Sequence, residues 1–121
     1  FVVYDKESLI GGMLDILFYN IKAQEFQIWD WKTNKKFTKE NKAKHLQGKL
    51  FLIEDCDLEI YSLQLEMYKQ IIEKVTGLKL GKSYIVWFSH NNDSYEIIET
   101  KNRQFYIQQI ITDRIAELNA T

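Results

Sequence analysis

The sequence predicts an α/β protein with a mixed central β-sheet flanked by helices, and three observations carry that expectation. The first third alternates β-rich runs with polar turns, two later segments place apolar residues at helical spacing, and a second pair of β-rich runs lies between those segments. A strand, long helix, strand crossover after a meander implies a mixed sheet flanked by helices, the layout of an α/β sandwich.

Taken in order, residues 1–4 and 9–19 are β-rich runs separated by the polar turn Asp5, Lys6, Glu7 and Ser8, and they read as a hairpin. Residues 25–33 form a third run, joined to the second by a short connection around Lys22 and Ala23. The second and third runs are partly apolar on both sides. Met13 and Leu17 share a face with Phe26 and Ile28, while Leu14, Ile16 and Phe18 share the other with Trp29 and Trp31, so cover on both faces is expected. Residues 34–57 lose periodicity and read as a long lysine-rich connection, with 50–53 as a short extended piece. Tyr61, Leu65, Tyr68, Ile72 and Val75 then mark a helix over 58–76, with Asp57 as its N-cap and Gly77 just past its end. Residues 82–89 read as a buried strand, 90–93 as a turn and 95–99 as a returning strand. A last helix over 101–118 carries the stripe Ile107, Ile110, Ile111, Ile115 and Leu118.

Composition narrows the function classes. A chain of 121 residues is read as one domain over 1–121, and the abrupt apolar opening at Phe1 points to truncation at the N-terminus. No apolar run reaches the roughly 18 positions of a membrane span, and no signal peptide is evident, so no membrane partner and a cytoplasmic setting are expected. The single cysteine, Cys56, cannot form an internal disulfide, and it cannot by itself supply a thiolate-rich metal site. His45 and His90 lie in loops without ligand spacing and read as surface residues. The net charge of −1 is uninformative about nucleic acid, but Lys35, Lys36, Lys39, Lys42, Lys44 and Lys49 cluster after the third strand with only Glu40 nearby, a candidate phosphate-binding patch. Trp29, Trp31, Trp87 and Phe88 could stack bases, although residues inside strands more often pack in the core.

The chemistry concentrates at the third strand. A turn centred between Lys22 and Ala23 pairs each residue with the one equally far beyond it, and Asp15 then falls opposite Asp30. Two carboxylates about 5 Å apart repel by roughly 3 kcal/mol at an effective dielectric of about 20, and an apolar sheet needs compensation for that. A Mg²⁺ ion, with Mn²⁺ as its substitute, supplies it through hard oxygen ligands, keeping waters or a substrate phosphate in its other positions. Lys32 lies two residues beyond Asp30 and projects from the same side, where an ammonium can orient a nucleophilic water and neutralise developing charge. The carbonyl of Trp31, between them, is a further oxygen ligand. Asp-x-Lys alone is also the pattern of an ordinary surface ion pair, so the reading rests on what accompanies it.

Gly12-Met13-Leu14-Asp15 resembles a G-x-h-D strand motif, Asp30-Trp31-Lys32-Thr33 a D-x-K-T motif, and Gln64 with Tyr68 the downstream Q-x-x-x-Y helix motif of RecB-like exonucleases in the PD-(D/E)XK nuclease superfamily. The resemblance covers residues 1 to about 99. It implies a restriction-endonuclease-like core, metal ligation by Asp15 and Asp30, service to the nucleophile by Lys32, and support of the site or DNA-backbone contact by Gln64 and Tyr68. Thr33, Lys35 and Lys36 join these as nucleic-acid-contacting candidates. The family's first helix, which often adds an acidic or His residue to the site, has no counterpart in this sequence, and Glu7 is a poor substitute for it. The expectation is therefore a metal-dependent deoxyribonuclease, exonucleolytic and working on DNA in recombination, repair or phage DNA processing beside a helicase or recombination partner protein. A non-catalytic nucleic-acid-binding or structural module on the same sheet is the alternative, and an endonuclease with the same site is a third.

Overall fold

The computed structural model describes residues 2–89 and 94–120, so the turn expected at 90–93, with His90, lies outside the described residues. The chain is α/β. A hairpin of β1 (Val2–Asp5) and β2 (Ile10–Met13) forms a two-stranded sheet. β3 (Ile16–Asn20), β4 (Glu25–Lys32), β5 (Leu80–Phe88) and β6 (Tyr95–Glu99) form a mixed sheet in the order β3-β4-β5-β6. The β4–β5 pair is parallel and its neighbours are antiparallel, with helix α1 (Asp57–Thr76) in the crossover and α2 (Gln104–Asn119) after β6.

Local chemistry explains the two hairpins. In the first turn the buried Asp5 carboxylate accepts from the Ser8 backbone N–H at 3.1 Å and from its hydroxyl at 2.5 Å, and Lys74 of α1 reaches it at 3.1 Å. Burial opposes ionisation of Asp5, but these donors outweigh it and hold the carboxyl below its ordinary value. In the second turn Asn20 Oδ1 accepts from Ala23 N–H, and Gln24 takes the left-handed conformation that closes the loop. This turn sets the β3–β4 register, Ile16 to Trp29 through Asn20 to Glu25, as the sequence predicts. Where β4 meets β5 the register slips between Phe26 and Ile28. Gly81 lies so close to Glu25 that an added Cβ would overlap the carboxylate.

Helix α1 covers one face of the sheet. Leu65, Tyr68, Ile71 and Ile72 pack with Leu14, Ile28, Ile85 and Ile98, and Leu65 and Ile85 are fully buried. Truncating Leu65 to Ala at such a site costs about 2–5 kcal/mol. The helix begins at Asp57, with Cys56 rather than Asp57 at the N-cap. Asp57 instead locks the long loop, accepting from the Thr38 N–H and hydroxyl while its own N–H donates to Thr38 Oγ1. Gly77 ends the helix in the left-handed conformation, as its position predicts. Helix α2 packs on the flank of α1 through Ile107, with Ile110 and Ile111 at its margin, in a second cluster with Ile53 and Leu63. Residues 50–53, expected as a short extended piece, instead finish a 3-10 turn over Gly48–Leu50 and continue as turn and bend, Gly48 entering with positive φ while Leu46, Leu50 and Ile53 gather into that same cluster.

Two expectations about the sheet are corrected. Its far face is open: Trp31 is 43% exposed, Phe88 40%, Tyr95 61% and Ile97 49%, with Trp31 against Phe88 and Phe88 against Tyr95. Only Trp87 of the four stacking candidates lies among the partly buried side chains packed on the core. The run expected as one strand over 9–19 is also broken, because the chain bends at Leu14 and Asp15 and passes from one sheet to the other. The bend sends Leu14 into the core beside Ile28, not to the Trp29 side, and leaves Met13 exposed.

Candidate active site

The bend between β2 and β3 has a local cause. Gly12 runs against the buried ring of Tyr68, and a Cβ there would stand 2.4 Å from Cε1 and 2.7 Å from the hydroxyl oxygen. Only a glycine lets β2 pass this close beneath α1, and the chain must then turn to join the β4 ladder. Asp15 sits at that turn. In an extended strand a residue's N–H and C=O leave the same edge, so the Trp31 N–H points to where β3 would continue. With the β3 backbone bent away, the Asp15 carboxylate takes the place of a backbone acceptor and receives that N–H at 2.9 Å.

Asp15, Asp30 and Lys32 therefore meet at one point. Asp30 is buried at the end of β4, and Lys32 Nζ lies 2.9 Å from its Oδ2. The Asp15 and Asp30 carboxyls are near enough for each to perturb the other's acidity. Their acidities diverge. The Trp31 N–H, acting against burial and helped by Asp30 and Lys32, holds Asp15 below its ordinary value. Burial, together with the neighbouring Asp15 and against the pull of Lys32, raises Asp30. Of the two, Asp30 is the one whose charge burial opposes and Asp15 the one its backbone donor favours.

The ammonium of Lys32 also stands over the ring of Tyr61, 4.3 Å from its centroid. Tyr61 is fixed by Asn34, whose amide donates to its hydroxyl at 2.8 Å, and the Asn34 carbonyl in turn receives the Trp87 indole N–H at 2.8 Å. Sequence reasoning places Tyr61 only on an apolar stripe. Its position one turn before Gln64 on α1 is the signal that could have singled it out.

The remaining candidates sit around this cluster. Gln64 Nε2 donates to the Tyr68 hydroxyl at 3.0 Å, and Gln64 Oε1 is buried with no hydrogen-bond partner among the described residues. The Gln64–Tyr68 pair thus braces Gly12, three residues before Asp15, and serves the acids through the path of β2. Thr33, Lys35 and Lys36 are exposed immediately past β4. The lysine patch is smaller than its sequence clustering implies, because tertiary structure brings acids to it. Lys39 pairs with Glu96, Lys44 with Asp55 and Lys49 with Asp113. Glu7 pairs with Lys74, and His45 bonds through Nδ1 to the Phe51 carbonyl.

As a cation site the cluster offers two carboxylates, and the Trp31 carbonyl leaves the same strand edge as the N–H that meets Asp15. Among the described residues no group of three or more His, Cys, Asp or Glu side chains gathers in a way that could hold a metal ion. Two carboxylates and a carbonyl are hard oxygen donors of the kind an ion that keeps much of its water, such as Mg²⁺, would use, and they form no closed cage. Among the described residues, no helix is long and apolar enough to cross a membrane. Comparison with known proteins returned no matching family model, no matching curated protein and no matching solved structure.

Proposed function

We propose that this protein is a metal-dependent deoxyribonuclease that hydrolyses DNA phosphodiester bonds. The observation that carries the reading is the gathering of Asp15, Asp30 and Lys32 at the mouth of the β4 edge, with Asp15 on the Trp31 N–H and Lys32 on Asp30. A strand gains nothing from bringing a second acid beside the buried Asp30, and a divalent cation would compensate the pair. Asp15 and Asp30 would hold Mg²⁺ or Mn²⁺ together with the Trp31 carbonyl. When bound, such an ion polarises a phosphoryl oxygen and acidifies water. Lys32 orients the nucleophilic water and neutralises charge on the transition state. Lys35 and Lys36, exposed beyond the strand, hold flanking phosphates, and Gln64 with Tyr68 keeps β2 in position. The motif order that resembles RecB-like exonucleases favours a linear DNA end as substrate, in a recombination, repair or phage-processing setting with a helicase or recombination partner.

One observation favours a second reading, a non-catalytic nucleic-acid-binding or structural module: the cluster holds two acids rather than three, and Lys32 already closes on Asp30. End-labelled linear DNA with Mg²⁺ or Mn²⁺ decides between them. Nuclease function requires product from the wild type and none from Asp15→Ala, Asp30→Ala or Lys32→Ala, each still folded. Product from purified Asp30→Ala ends the assignment, and binding without product favours the module. Circular DNA of the same sequence separates an exonuclease from an endonuclease.

A further inference from the structure

We propose that Tyr61 is the positioning residue for Lys32, a second anchor that keeps the ammonium at the acid pair when a cation takes Asp30. The inference rests on the nuclease reading above and assigns a residue that neither the strand motifs nor the Gln64–Tyr68 pair includes.

A lysine ammonium rides on a flexible four-carbon stem, and a single ion pair at the mouth of a site is a weak restraint on it. Here it has two. Asp30 Oδ2 holds it at 2.9 Å, and the face of Tyr61 holds it at 4.3 Å from the ring centroid. These anchors differ in what a divalent ion does to them. A cation held by Asp30 would compete with the ammonium for carboxylate charge and would repel it. The ring carries no net charge, and its attraction for the ammonium comes from the quadrupole, which persists. Tyr61 can do this because its ring is itself immobilised. Its hydroxyl accepts from Asn34 at 2.8 Å, the Asn34 carbonyl accepts from Trp87 at 2.8 Å, and Phe37 lies between the Tyr61 and Trp87 rings at 5.8 and 5.7 Å. The core thus reaches the site through Trp87, Asn34 and Tyr61. Helix α1 contributes to Lys32 through this residue, one turn before the glutamine that the sequence motif singles out.

The test combines a spectroscopic and a kinetic measurement. In proton NMR of the metal-free wild type, the Lys32 ε-methylene resonance is expected upfield of an exposed lysine's, by the ring current of Tyr61. It is expected to stay there in Tyr61→Phe and to return to the exposed position in Tyr61→Leu. In Mn²⁺-dependent cleavage of linear DNA, Tyr61→Phe is expected to keep kcat within about threefold. Tyr61→Leu is expected to lower kcat about tenfold with KM for DNA nearly unchanged, since a misplaced ammonium weakens the transition state and not ground-state binding. A residue that only packed the core would not shift the Lys32 resonance or give this split between kcat and KM. An unshifted Lys32 resonance in the wild type overturns the proposal even if Tyr61→Leu does not fold. Wild-type kcat in a folded Tyr61→Leu protein, beside an inactive Asp30→Ala, overturns the proposal and leaves the nuclease reading standing. Absence of cleavage by the wild type overturns both.

Discussion

Replacing Gly12 by alanine probes the packing that fixes where Asp15 stands. The added Cβ would come 2.4 Å from Tyr68 Cε1, 2.7 Å from the hydroxyl oxygen and 2.9 Å from Cζ, all inside the separation real carbon atoms keep. The ring cannot simply yield, because Tyr68 is buried and its hydroxyl is held by Gln64. Overpacking of this kind costs about 1–3 kcal/mol. Alanine also restricts the unfolded chain and returns about 0.4–1 kcal/mol. The steric cost is the larger, so a net loss of roughly 1–2 kcal/mol is expected, a fall in Tm of about 4–8 °C for a chain of this size. Thermal denaturation followed by circular dichroism measures it. A double-mutant cycle with Tyr68→Leu isolates the cause, since Gly12→Ala should be nearly neutral once the ring is gone. Unchanged stability in Gly12→Ala, or an equal loss with and without Tyr68, would refute the reasoning.

Three further outcomes are expected. Glu59 is buried between Arg103, bound through both carboxylate oxygens, and Lys101; Glu59→Gln should cost roughly 2 kcal/mol by denaturant titration, less than the 3–5 of a fully buried pair because Lys101 is partly in water. Burial opposes the charge on Glu59, but Arg103 and Lys101 outweigh it and hold the carboxyl below its ordinary 4.5, so this contribution is fully present above that value and is lost as pH falls through the depressed folded value, a dependence absent in Glu59→Gln. The double variant Lys35→Ala/Lys36→Ala should weaken DNA binding and flatten the slope of log affinity against log salt by up to about 0.9 for each phosphate no longer neutralised, whereas Lys49→Ala, whose lysine is committed to Asp113, should change the slope little. Trp31→Ala should leave divalent-cation affinity within about threefold, because Trp31 serves the site through its main chain while its side chain lies on the open face.

The part of the site legible in the sequence was the part set by local rules. Asn20 and Gln24 fix a tight turn, the turn fixes the register from Ile16–Trp29 to Asn20–Glu25, and alternation along β4 puts Lys32 on the side of Asp30. The bend at Leu14 and Asp15 was not legible, because an unbroken apolar run reads as one strand whatever the path of its backbone. It takes the approach of Tyr68, more than fifty residues away in sequence, to require glycine at position 12 and redirect the chain. The lysine patch is smaller than it reads for a related reason: Glu96 and Asp113 are distant in sequence from Lys39 and Lys49, which they neutralise. Tyr61 was hidden because an aromatic on a helical stripe looks like core, and its second role depends on where the Lys32 stem leads. The uncovered aromatic face went unforeseen because strand composition reports that a face is apolar, not whether another element arrives to cover it.

Whether the two acids hold a divalent ion is measured most directly by isothermal titration of the metal-free protein with Mn²⁺, beside Asp15→Asn and Asp30→Asn. One ion is expected to bind the wild type, and each substitution is expected to weaken that binding at least about tenfold, the loss of one charged ligand from a set of two. Equal affinity in all three proteins, or no binding by the wild type at millimolar Mn²⁺, would contradict the account.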